Sequence, residues 1–164
     1  MSTATDHKKL WDLIKDIKFG MFTHRHANGM MHSRPLTTLN KGMDEDNKLY
    51  FFVSRTSDIA RQVAQDDNVN VSYTNPGDDR YVSVSGNALI VEDMGKKEAL
   101  WSPMTKAWFP DGPTDPNVTL LEVRIRQAEY WDVKESKMIQ ITLNPAVTQS
   151  MRAGPAGATA AMGG

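Results

Sequence analysis

The sequence predicts a mainly β protein: a small antiparallel barrel or half-barrel of six to seven strands, with α-helices at its start and between strands. Three observations lead there. Short apolar or alternating runs recur along most of the chain, Gly, Pro, Asn and Asp punctuate them at hairpin spacing, and helical periodicity is brief. Closing such a sheet on itself removes exposed edges.

The elements follow in order. Asp6 is an N-cap for a helix in which Leu10, Leu13, Ile14 and Ile17 share one face, with Lys8, Lys9, Asp12 and Lys15 on the other. Phe19 to His24 is a strand, Asn28-Gly29 a tight turn, and Met30 to Leu39 the returning strand. Asp44, Glu45, Asp46 and Asn47 turn the chain into the buried strand Leu49 to Val53. Ser57 caps a short helix with Ile59, Ala60, Val63 and Ala64 on its inner side, ending near Asp66. Val69, Val71 and Tyr73 alternate with Asn70, Ser72 and Thr74 in a half-buried strand that closes at the turn Asn75-Pro76-Gly77-Asp78.

Tyr81 to Val91 is a long strand with Gly86 at its middle, where a bulge or a close backbone approach is expected. Gly95 to Trp101 reads as a helix, and a Pro-rich loop follows, MTKAWFPDGPTDP over residues 104 to 116. There Trp108 and Phe109 stand beside Pro110, Pro113 and Pro116, so regular structure does not cover the rings and something else must. Leu121, Val123 and Ile125 alternate with Glu122, Arg124 and Arg126 in a late strand, and Glu129 to Asp132 form another short one. The small residues after Pro145 cannot offset ordering entropy, which divides the chain into one domain, 1–145, and a disordered Gly/Ala-rich tail, 146–164.

Composition narrows the chemistry. A chain of 164 residues can bury a core without staples, and it contains no cysteine, which excludes thiol nucleophiles, zinc–thiolate sites and disulfides. The net charge of -1, with both signs interspersed, offers no basic field, so neither nucleic acid nor a membrane is expected as a partner. MSTATDHKK lacks the apolar segment of a signal peptide, and the expected location is cytoplasmic. His24 and His26 have metal-ligand spacing but no carboxylate or cysteine at a matching position, and Asp111, Asp115 and Asp44 to Asp46 lack the glycine-centred pattern of a calcium loop. No metal is expected. Without a G-x-S-x-G elbow or a phosphate-binding glycine loop, redox chemistry would have to come from a bound cofactor.

Four stretches, MHSRPL (31–36), LYFFVSRTS (49–57), RYVSVSGNALIVED (80–93) and LWSPMTKAWFPDGPTDP (100–116), followed by LLEVRIRQAEYWDV, stand in an order that resembles the pyridoxamine 5'-phosphate oxidase-like flavoproteins, specifically the bacterial general stress protein branch. The resemblance implies an FMN-binding split barrel that forms a homodimer with flavin at the interface. FAD or riboflavin are alternatives, and a deazaflavin or haem a weaker one. It also implies site residues. Ser33, Arg34, Pro35 and Leu36 would grip the phosphate through Arg34 and run along the isoalloxazine; Val53 and Ser54 would touch the flavin; Ser57 would face the phosphate; Lys106, Trp108 and Phe109 would lie at the flavin edge and dimer seam, covering the rings.

Physical chemistry agrees with these assignments: a guanidinium fork suits a phosphate, a capped helix N-terminus favours an anion, and Pro35 leaves a backbone position free to face a ligand. The plainer alternatives are a solvated arginine, an ordinary N-cap and seam packing. One departure stands out. Where many relatives carry a lysine two positions after the capping serine, this chain has Ile59, preceded by Asp58, with Arg55 and Arg61 as the nearby cations. The region after the last strand holds only Arg152 as a late cation, so vitamin B6 oxidation is not expected. The implied function is an FMN-dependent oxidoreductase with a small-molecule redox partner, its catalytic residues unassigned; the alternative is a non-catalytic protein that stores or senses flavin.

Overall fold

The computed structural model describes residues 3–43, 47–134 and 137–143. In chain order the elements are α1 (Thr3–Ile14), β1 (Phe19–Arg25), β2 (Met31–Thr37), β3 (Lys48–Ser54), α2 (Asp58–Gln65), β4 (Asn68–Asn75), β5 (Arg80–Val91), α3 (Met94–Leu100), α4 (Pro103–Trp108), β6 (Val118–Lys134) and β7 (Lys137–Leu143). The strands make one antiparallel sheet in the order β2-β1-β4-β5-β6-β3, with β7 also paired to β6. The sheet is curled into a half-barrel. The expected fold class is correct.

Alternation dictates what fills the barrel. Phe22 of β1, Leu49 and Phe51 of β3, Val71 and Tyr73 of β4, Val82 and Val84 of β5, and Leu121, Val123 and Ile125 of β6 point inward and are buried. Leu10, Leu13 and Ile14 of α1 and Ile59 and Val63 of α2 join the same cluster. Strand β3 is buried on both faces, because Phe52 joins Val118 and Leu120 in a second cluster covered by Leu39, Val91, Leu100, Trp101 and Phe109.

Two glycines and one turn shape the sheet. Asn28-Gly29 reverses the chain between β1 and β2, with Gly29 at φ 87° and the His26 N–H donating to the Met30 carbonyl. At Gly86 the register of β5 on β6 shifts, and a Cβ there would lie 2.2 Å from the Arg124 carbonyl oxygen. Both expectations for Gly86, a bulge and a close approach, are met. Gly20 is similarly confined, with Val71 Cγ1 2.6 Å from where its Cβ would stand.

The structure corrects four sequence expectations. Helix α1 begins at Thr3, before Asp6. The two late strands are one, β6, because β5 pairs along it from Asp132 to Leu120. β7 was not anticipated at all. The segment taken as a Pro-rich loop opens with a helix, α4: Pro103 occupies its first turn, where a missing N–H costs nothing, and the Ser102 side chain accepts from the Thr105 N–H. The expected turn at Asp44 to Asp46 and the disordered tail 146–164 lie outside the described residues.

Candidate functional site

Strands β2 and β3 are the two ends of the sheet's pairing path and meet at one end only. There the Leu39 N–H donates to the Tyr50 carbonyl at 2.9 Å, and the Asn40 side chain bridges the Tyr50 N–H and the Lys48 carbonyl. Along the rest of β2, one edge is unpaired among the described residues, and α3 and α4 stand across from it. The result is a cavity of about 560 Å³, within the range of small-molecule sites.

Its walls are mostly apolar. β2 and the residues after it give Pro35, Leu36, Thr37, Thr38 and Leu39; β1 and β3 give Phe19 and Phe52; the helical side gives Leu100, Ser102, Met104, Thr105, Trp108 and Phe109. Among the described residues Lys41 is the one ionisable group in the lining, and its Nζ donates to the Ala99 carbonyl at 3.0 Å. Three of the large apolar residues on the wall stay open to solvent: Phe19 is 40%, Met104 52% and Trp108 63% exposed. Singly such side chains are unremarkable; here all three line the same cavity.

The residues expected at the site divide into two groups. Pro35, Leu36, Trp108 and Phe109 line the cavity. The others stand outside its lining. Arg34 precedes Pro35 on β2, exposed, opposite the buried Phe22. Ser33 faces the other side of the strand, where its hydroxyl meets Thr23 Oγ1 at 2.6 Å. Val53 is buried in the core, the Ser54 hydroxyl meets that of Thr56 at 3.1 Å, and the Ser57 hydroxyl accepts from the Ala60 N–H at 3.2 Å, capping α2. Lys106 lies exposed in the last turn of α4. Sequence reasoning missed Phe19, Thr37, Thr38, Lys41 and Met104; nothing in their local pattern distinguishes them from ordinary strand and loop residues.

The two arginines near Ile59 are both paired. Arg55 forms a two-pronged pair with Glu92, Nη2 to Oε1 at 3.0 Å, and donates from Nε to the Pro116 carbonyl at 2.8 Å. Glu92 is consequently held below the usual carboxylate range, chiefly by the Arg55 bond. Arg61 pairs with Asp58 and donates to the Thr56 carbonyl at 2.6 Å. Ile59 itself is 1% exposed in the core.

Beside them lies a histidine group. The β1/β2 register sets His24 opposite His32, and the His26 ring stacks on His32 with centroids 4.4 Å apart. His24 is buried, and its imidazole is held below its ordinary value by burial, with the Arg34, His32 and His26 charges adding to it. Among the described residues no group of three His, Asp or Glu side chains is placed to hold a metal ion. Nor is any helix among them long and apolar enough to cross a membrane.

An open half-barrel whose split edge carries an apolar cavity defines a split-barrel protein. The family described as "Pyridoxamine 5'-phosphate oxidase like" matches residues 5–151, and the chain belongs to that family. It is 27% identical over 139 residues to General stress protein 26 of Bacillus subtilis, covering 83% of this chain and 95% of that protein. Protein bli-3 of Neurospora crassa is 32% identical over 125 residues, 69% of this chain, and the chain spans only 58% of that protein's length. The crystal structure of the general stress FMN/FAD binding protein from Xanthomonas citri superposes with a TM-score of 0.69 at 26% identity, covering 84% of this chain and 96% of that one. A Clostridium acetobutylicum protein related to general stress protein 26 shares the fold, with a TM-score of 0.70 at 17% identity over 86% of this chain and 96% of that one.

Proposed function

We propose that the chain is a general-stress-type flavoprotein that binds FMN along β2, with the isoalloxazine in the cavity and the phosphate toward Arg34. The observation that carries this reading is the juxtaposition on one strand of an apolar slot, lined by Pro35 and Leu36, with an exposed guanidinium at the preceding residue. The FMN/FAD-binding description of the Xanthomonas citri neighbour supports it. From Arg34 to Thr38 an extended strand covers on the order of 13 Å, which separates a ring seat from a phosphate seat.

The residues fit the group. Flat aromatic and aliphatic walls suit the ring, the Thr37, Thr38, Ser102 and Thr105 hydroxyls suit its polar edge and the ribityl chain, and Arg34 suits a dianion. When bound, the flavin supplies hydride and electron transfer. The protein's part is to hold and shield it, since Lys41 alone among the described lining residues ionises. On this reading the protein is an FMN-dependent oxidoreductase acting on a small-molecule partner. With one ionisable group among the described lining residues, the second reading is flavin storage or sensing.

A second copy of the chain is the proposed cover for Phe19, Met104 and Trp108. Trp108→Ala is expected to shift the sedimenting species toward monomer and to perturb the visible flavin spectrum. An intact dimer with an unchanged spectrum would remove Trp108 from both the seam and the ring.

A further inference from the structure

We propose that His26 and His32 join Arg34 in a proton-dependent seat for the phosphate of the bound flavin, so that a phosphorylated flavin binds together with a proton and riboflavin does not. This rests on the flavin reading above. It starts from the charges around the β1–β2 hairpin and the first turn of α2. Arg55 is paired with Glu92, Arg61 with Asp58, and Arg25 with Asp66 at 3.2 Å. Arg34 has no hydrogen-bond or ion-pair partner among the described residues, and one guanidinium matches only half of a phosphate dianion. The second charge must come from elsewhere.

The imidazoles are placed to supply it. In the β1/β2 register Phe22 is opposite Arg34 and His24 opposite His32, so His32 and Arg34, two residues apart, leave the same face of β2. The His26 ring lies flat on His32, 18° from parallel, and its Nε2 is 3.6 Å from Asp58 Oδ2, which ties the stack to the start of α2. His26 Nδ1 is buried without a hydrogen-bond partner. His24, 6.3 Å behind His32, is 1% exposed, and its burial, which holds the imidazole below its ordinary value, disfavours a charge there.

Histidine is the side chain whose charge changes between about pH 5 and 8. Two imidazoles stacked at 4.4 Å repel when both are charged, and Asp58 compensates one at most, while already serving Arg61. An arriving phosphate dianion relieves the repulsion and draws a proton onto the stack. By reciprocity, protonation raises affinity for the phosphorylated ligand by the same factor.

The test is calorimetric titration of the full chain with FMN, riboflavin and inorganic phosphate, in buffers of differing ionisation enthalpy. FMN binding is expected to be accompanied by proton uptake and riboflavin binding by none. The FMN-over-riboflavin preference should rise about tenfold from about pH 8 to about pH 6.5. His32→Asn should flatten that rise, and His26→Gln, on the hairpin loop, should do the same if the first variant folds poorly. FMN binding without proton uptake, or with a preference independent of pH, overturns the seat and leaves the flavin reading standing. Proton uptake with inorganic phosphate but no FMN preference reassigns the seat to free phosphate and overturns its link to the flavin. Failure of both flavins to bind overturns the seat and the flavin reading together.

Discussion

Arg34→Ala is expected to weaken FMN binding about tenfold to hundredfold while changing riboflavin binding little. The range follows from losing a charge-assisted pair worth about 1.5–3 kcal/mol, with each 1.4 kcal/mol a factor of ten. The asymmetry between ligands is the informative part, since riboflavin shares the ring and the ribityl chain and lacks only the phosphate. Arg34 is exposed on the end strand of the sheet, so thermal stability should hardly change. Equal losses for the two ligands would mean that Arg34 shapes the slot and does not touch the phosphate. Unchanged FMN affinity would remove the phosphate from this end of β2.

Gly86→Ala is expected to lower stability by about 3 kcal/mol or more, because the new Cβ would meet backbone and not a side chain that can rotate away. The Arg124 carbonyl oxygen stands 2.2 Å and its carbon 3.0 Å from that position, with Val123 Cγ1 at 3.1 Å. Relief requires β5 and β6 to separate where their register shifts, which would disturb the curl of the sheet. In a domain of this size the loss corresponds to a melting temperature lower by on the order of 10 °C. Gly42→Ala, where nothing lies within 4 Å of the added carbon, is the control and should be nearly silent. Similar melting curves for the two variants would contradict the close contact between the strands.

Much of the fold was legible because the barrel writes itself as alternation. Val69, Val71 and Tyr73 are buried while Asn70, Ser72 and Thr74 are half-buried or exposed, and no other element type gives that period. Asn28-Gly29, Ser57 and Gly86 announced a turn, a cap and a bulge because each position needs a conformation or a donor that few residue types supply. Ser102-Pro103 carried the equivalent signal for α4, but the prolines that follow at 110, 113 and 116 concealed it. β7 was missed although Ile139, Ile141 and Leu143 alternate with Gln140 and Thr142, a pattern overshadowed by the small-residue run after it.

The site was legible only in part, for a physical reason. Trp108 and Phe109 could be recognised as rings without cover from their proline-rich neighbourhood, and Arg34 and Pro35 as an unusual strand pair. Lys41, Phe19 and Met104 come to the cavity from three separate segments, and no local spacing encodes that meeting. The pairing of Arg55 with Glu92 and of Arg61 with Asp58 was equally invisible: sequence offered both arginines as nearby cations, and folding gave each a carboxylate.

The central claim is that the slot along β2 holds a flavin, and the most direct measurement is titration of the purified, flavin-free chain with FMN, followed by flavin fluorescence and visible absorbance. The expected result is saturable binding of one FMN per chain, with fluorescence altered as the ring enters a wall containing Trp108. FMN that stays fully fluorescent and unbound at every protein concentration would contradict the claim and leave the cavity to another planar ligand.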